Sequence, residues 1–135
     1  MQDCDINYKN ITMKKLIILI LLLTGISSFA QNKNAKVSLE VDGICMMCKT
    51  RIEKASLASK GVKFAVWDVK THELKVIYDE RKTNLKTISQ TVANAGHDTK
   101  EVKATEEAYN TVHNCCRYRD ESIQEEHKEG EEHKD

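Results

Sequence analysis

Polar and apolar positions alternate over residues 36–42, where Val37, Leu39 and Val41 are separated by polar neighbours. Period two predicts a half-buried strand. The spacing then changes to four and three at Cys48, Ile52 and Ala55, which predicts a helix over residues 47–59, closed by Gly61. Alternation returns over 62–69, with Val62, Phe64 and Val66 on one face and Trp67 on the other. A short turn at Lys70, Thr71 and His72 leads into a third strand over 73–78, where Leu74, Val76 and Tyr78 alternate, so these two strands form a hairpin. Thr83 or Asn84 is placed to cap a second helix over 85–95, whose apolar stripe is Leu85, Ile88, Val92 and Ala95 and whose end is Gly96. A weaker fourth strand is expected over 98–103. The order βαββαβ predicts an α+β domain: a four-stranded antiparallel sheet with both helices on one face.

The chain on either side of this domain is different. Met13, Lys14 and Lys15 precede eight apolar residues from Leu16 to Leu23, and Ser28 and Ala30 put small residues before Gln31. A positive start, a short apolar run and a small-residue exit predict a signal peptide over Met13–Ala30. The run is too short to cross a bilayer. A periplasmic or secreted protein without stable membrane insertion after cleavage is therefore expected. Residues 1–12, which include Cys4, read as a mis-called extension ahead of the true start at Met13. Residues 104–119 read as a helical extension, and residues 120–135 as an acidic, disordered tail.

Net charge is zero over 135 residues, which excludes a polybasic nucleic-acid binder. The balance is uneven: residues 31–119 hold 16 Lys and Arg against 11 Asp and Glu, while residues 120–135 hold 8 acids and 2 lysines. Aromatic residues are only 5%, so the core is expected to be aliphatic. No nucleophile–base pair, phosphate loop or paired general acid and base is visible, and no catalysis is expected.

Four of the five cysteines, Cys45, Cys48, Cys115 and Cys116, carry the chemistry. Cys45 and Cys48 stand three positions apart between the first strand and the first helix. There the helix N-terminus offers N–H groups and partial positive charge to thiolates. Two thiolates suit soft ions: Cu(I) first, with Hg(II) or Zn(II) next, although Zn(II) asks for further ligands. Met46 and Met47 between them are soft thioethers, or simply packing side chains.

The stretch Val41-Asp42-Gly43-Ile44-Cys45-Met46-Met47-Cys48 resembles the metal loop of the heavy-metal-associated domain family. Arg51 to Ala55 resembles its first helix, Gly61-Val62 its helix exit, and Ala95-Gly96-His97-Asp98 its second helix exit. The resemblance covers residues 35–103. It implies a ferredoxin-like fold and a metal-carrying role, as in copper chaperones, the N-terminal domains of copper-transporting ATPases and the periplasmic mercury-binding protein. The two cysteines would bind one ion and pass it by ligand exchange to a metal-transporting membrane protein or another metallochaperone acceptor. The family's loop methionine is absent, and Ile44 is expected to fill its hydrophobic role. His97 lies in a loop that the family brings towards the metal, as an auxiliary ligand or as a surface histidine.

Two further readings concern the thiols. The same CxxC pair, outside the cytosol, also reads as a thiol–disulfide redox motif, but the Met-Met insert and the βαββαβ order fit it less well. His113, Cys115 and Cys116 form a second cluster: an accessory metal site or part of a composite one, a source of disulfides to the domain, or structurally idle. His127 and His133 in the tail offer weak metal donors at most.

Overall fold

The three alternating stretches become strands β1 (Ala35–Glu40), β2 (Val62–Trp67) and β3 (Glu73–Tyr78) in a computed structural model that describes residues 14–15 and 31–132. The expected signal segment, apart from Lys14 and Lys15, lies outside the described residues, as do residues 1–12 and His133. No helix among the described residues is long and apolar enough to cross a membrane.

β3 is the central strand, antiparallel to both neighbours, in the order β1-β3-β2. Its Leu74 stands opposite Leu39 of β1 and Trp67 of β2, and its Val76 opposite Val37 and Ala65. These pairs set one row of apolar side chains on a single face. Helix α1 (Met46–Ala58) and helix α2 (Leu85–Asn94) bury Cys48, Ile52, Ile88 and Val92 against that row. Each fully buried aliphatic side chain contributes about 1.5–3 kcal/mol. Ser56 completes the buried face of α1 by turning its hydroxyl back onto the Ile52 carbonyl at 2.8 Å. Asn84 caps α2, its Oδ1 accepting from the Thr87 N–H at 2.9 Å. The result is a ferredoxin-like α+β fold.

In β2 Trp67 lies on the face opposite Phe64 and Val66, as the alternation predicts; the buried face is the one carrying Ala65 and Trp67, and Phe64 and Val66 are exposed. The Trp67 indole finds a buried acceptor there, donating from Nε1 to the Val41 carbonyl at 3.0 Å, and a register irregularity between Val62 and Phe64 marks the strand's start. Three expectations need correction. The fourth strand reduces to a single bridge between Val41 and Thr99. Two hydrogen bonds flank it, Asp42 N–H to the Asp98 carbonyl and Lys100 N–H to the Glu40 carbonyl. Thr99 then turns the chain back on itself by bonding Val102 through both backbone and hydroxyl, which ends the pairing.

The other two corrections concern the end of the chain. Residues 104–119 are not one helix. They form a single turn, α3 (Glu106–Tyr109), and a 3-10 turn at Asn114–Cys116. Val112, Cys116 and Tyr118 are all buried, and their spacing of four and two does not fit one helix face. The acidic segment is helical over α4 (Glu121–Glu132). Asp120 starts it, accepting from the Ser122 N–H at 3.1 Å, and Glu121 sits where the helix dipole favours an acid. Two polar side chains dock it: Gln124 donates to the Tyr118 carbonyl and His127 to the Cys115 carbonyl.

Candidate metal centre

The loop between β1 and α1 is shaped by Gly43. A Cβ there would lie 3.0 Å from both the Cys48 Cβ and the Trp67 Cη2, so only glycine lets the loop pass this close to the core. Cys45 follows in extended backbone as the N-cap of α1, and its Sγ accepts from the Cys48 N–H at 3.4 Å. Cys48, one turn into the helix, is fully buried. The two sulfurs are 3.3 Å apart. They converge as the sequence predicts, and both are free thiols.

The structure brings a third sulfur to them. Cys116 Sγ lies 3.4 Å from Cys45 Sγ, although 71 residues separate the two in sequence. Cys115 Sγ is 3.9 Å from Cys116 Sγ, and the ligand atoms of Cys45, Cys115 and Cys116 all lie within 4.8 Å of one another. All four thiols are free, so of the three readings of the second cluster the structure shows proximity without a disulfide. Met47 and His113 border the group: Cys115 Sγ donates to Met47 Sδ at 3.5 Å and contacts His113 Nδ1 at 3.2 Å. Met46 is exposed.

The thiols do not ionise alike. Burial works against the Cys45 thiolate, but the Cys48 N–H, the Cys48 thiol and the Cys116 thiol all hydrogen-bond to it and together lower its pKa below the ordinary value. Burial pushes Cys48 up to about 11, and burial also holds Cys116 strongly neutral. Of these three sulfurs Cys45 therefore ionises most readily, with the Cys48 and Cys116 thiols placed to donate towards it.

His97 occupies a different place. It is fully buried, and its Nδ1 donates to the Asp42 carbonyl at 2.9 Å, fixing the entry to the metal loop. Burial lowers its pKa, so it is neutral, and its Nε2 has no hydrogen-bond partner among the described residues. Tyr118 of the extension stacks on it, with centroids 5.6 Å apart. In this structure His97 thus supports the loop's backbone.

Sequence reasoning did not single out the residues that press the extension onto the domain. Tyr118 Oη accepts from the Asp98 N–H at 2.8 Å and donates to the Gly96 carbonyl at 3.1 Å. Arg51, on α1, donates to the Ala95 carbonyl and the Thr111 hydroxyl. Gly96 makes the approach possible: at φ 93 its missing Cβ leaves room for Val112, whose Cγ1 would otherwise lie 2.6 Å away. A run of Tyr, Arg and Cys in a segment otherwise rich in polar residues was the one available signal.

Two openings flank the loop. A groove of about 470 Å3 beside the sulfurs is lined by Met46, Met47, Arg51, His113 and Cys116 among others. A larger cleft of about 1080 Å3 on the far side of the loop, walled by Ile44, His72, Arg119 and His127 among others, has no cysteine in its lining. Of the two, the first is the one that a cysteine, Cys116, lines.

Residues 38–98 match the family model of the heavy-metal-associated domain. No curated protein sequence matches the chain. Among solved structures, the chain is similar to the CopZ metallochaperone at 26% identity, covering 48% of this chain and 98% of that one, with a TM-score of 0.47. It is similar to oxidized MerP from Ralstonia metallidurans CH34 at 26% identity, covering 50% and 94%, with a TM-score of 0.48. The N-terminal domain of a potential copper-translocating P-type ATPase from Bacillus subtilis, in its Cu(I)-loaded state, shows 24% identity over 50% and 85%, with a TM-score of 0.47.

Proposed function

We propose that this chain, which carries a heavy-metal-associated domain over residues 38–98, binds one soft metal ion through Cys45 and Cys48 and hands it on by ligand exchange. The observation that carries this reading is the convergence of two free thiols, 3.3 Å apart, at the N-terminus of α1. Thiolate donors select Cu(I) first, with Hg(II) and Zn(II) as alternatives. The domain has an apolar core of its own, built on Leu39, Val41, Ile52, Trp67, Leu74, Val76, Ile88 and Val92, which supports reading the ion as cargo and not as a structural support.

Exchange needs an acceptor with thiolates of its own, and the proposed acceptor is a metal-transporting membrane protein or another metallochaperone. The short apolar segment before Ala30 supports an exported, periplasmic or secreted location. No specific feature favours the thiol–disulfide reading, and the matched domain family speaks against it.

Anaerobic native mass spectrometry of the reduced chain, with Cu(I), Zn(II) and Hg(II) in competition, tests the proposal. One equivalent of Cu(I) is expected on the parent chain and none on Cys45→Ser/Cys48→Ser. Equal loading of both chains would refute it.

A further inference from the structure

The sulfur cluster draws on two segments that the βαββα core does not connect. We propose that Cys116 and Cys115 complete a composite site with Cys45 and Cys48, so that a soft ion is held by three or four thiolates, with Cys116 as the third ligand and Cys115 as the fourth. The proposal rests on the reading that Cys45 and Cys48 bind the ion.

Geometry favours the higher coordination. With metal–sulfur bonds of about 2.3 Å, sulfurs stand about 3.8 Å apart in a tetrahedron, about 4.0 Å in a triangle and about 4.6 Å in a linear pair. The separations here are 3.3 Å for Cys45 and Cys48, 3.4 Å for Cys45 and Cys116, and 3.9 Å for Cys115 and Cys116. Cys45, Cys48 and Cys116 need shifts of about 0.5–0.7 Å to reach these spacings, while Cys115, which lies within 4.8 Å of Cys45 and Cys116, moves further to join as the fourth ligand. Opening Cys45 and Cys48 to a linear pair asks for about 1.3 Å, and Cys48 is locked in the core.

The thiol-bearing turn is also built into place. Its Cys115 carbonyl accepts from His127 of α4, and the Asn114–Cys116 turn is capped by His113. On its C-terminal side Tyr118 and Arg119 are anchored to the loop at Gly96 and Asp98. On its N-terminal side Thr111 is tied to Arg51 of α1. A turn held on both flanks presents its sulfurs at a fixed position, which is what a ligand requires.

Loading involves no change in oxidation state. Each thiol that joins the ion forms one metal–sulfur bond, loses its S–H bond and releases the proton to solvent. Release to an acceptor reverses this one bond at a time. The bond from Cys116 is the one at the groove beside Met46 and Met47, so an incoming thiolate displaces it first.

X-ray absorption on the reduced, Cu(I)-loaded full chain counts the sulfurs directly, and competition with a chromophoric Cu(I) chelator gives the affinity. Three or four sulfurs are expected in the parent chain and two in Cys115→Ser/Cys116→Ser. Affinity should fall by at least the roughly tenfold seen when even a supporting residue of a metal site is lost. Two sulfurs in the parent chain overturn the composite site whatever the variants do, so a folding defect at buried Cys116 does not protect the idea. If Cys45→Ser/Cys48→Ser abolishes binding while the Cys115/Cys116 variant matches the parent, the composite site fails and the CxxC reading stands. If the parent chain binds no Cu(I), both fail.

Discussion

Arg119 and Asp98 meet fork to fork, Nη2 donating to Oδ1 at 2.8 Å and Nε to Oδ2 at 3.2 Å. The carboxylate is almost fully buried and also accepts from the Ala104 N–H at 2.7 Å. This pair fastens the extension to the loop that follows α2, close to the metal loop. Arg119→Ala leaves a buried carboxylate short of its partner, and we expect a loss of roughly 2–4 kcal/mol of stability. Arg119→Lys should recover only part of it, because an ammonium cannot reproduce the two parallel bonds. Urea denaturation measures both, and a loss below about 0.5 kcal/mol for the alanine variant would show that the pair is not holding the extension.

The same carboxylate gives the fold an acid limit. Burial alone would raise the Asp98 pKa, but the Arg119 guanidinium and the Ala104 N–H outweigh it and hold it below the ordinary 3.8. A depressed carboxylate stabilises the folded state fully above the unfolded value. That contribution fades as pH falls below 3.8 and through the folded value. Stability measured from pH 6 downwards should therefore drop in this window. Asp98→Asn should start lower and show a shallower decline. Parallel curves for the two chains would assign the acid sensitivity to other groups.

Gly43→Ala places a methyl against Cys48 and the Trp67 ring at 3.0 Å. Neither neighbour has room to retreat, since both are fully buried. Overpacking of this kind costs about 1–3 kcal/mol, and the displaced Cys48 should weaken Cu(I) binding along with it. Thermal unfolding and chelator competition on one sample report the two effects. A variant as stable and as tight as the parent would mean that the loop has slack the structure does not show.

Alkylation should rank the thiols. The Cys45 pKa is lowered by hydrogen bonds from its neighbours, while burial pushes Cys48 up to about 11. With iodoacetamide near neutral pH, Cys45 should be labelled well before Cys48 and Cys116, and its rate should rise with pH earlier than that of an ordinary thiol. Peptide mapping by mass spectrometry resolves each site. Preferential labelling of Cys48 would contradict the arrangement of donors around Cys45.

What the sequence disclosed was local. The alternation in β1 and β3, the Asn84 cap and the position of Cys45 at the start of α1 all follow from periods of two and 3.6 and from capping chemistry, which need only near neighbours. The alternation in β2 set Trp67 apart from Phe64 and Val66 but left open which face is buried, because Phe64 and Val66 are as apolar as Ala65. Only the Trp67 bond to the Val41 carbonyl, across the sheet, decides between them. His97 and the Cys115–Cys116 turn were harder still. Their surroundings come from Tyr118, Asp42 and Cys45, partners 21, 55 and 70 or more residues distant, and no periodicity encodes such meetings.

Arg51 adds one consequence. It sits on the helix that begins at the sulfurs, and its guanidinium grips the Ala95 carbonyl at 2.6 Å and the Thr111 hydroxyl at 2.7 Å. One side chain thus ties three separate stretches of chain, α1, the end of α2 and the polypeptide leading to Cys115, into a single brace, so that a displacement of any one of them is resisted by the other two.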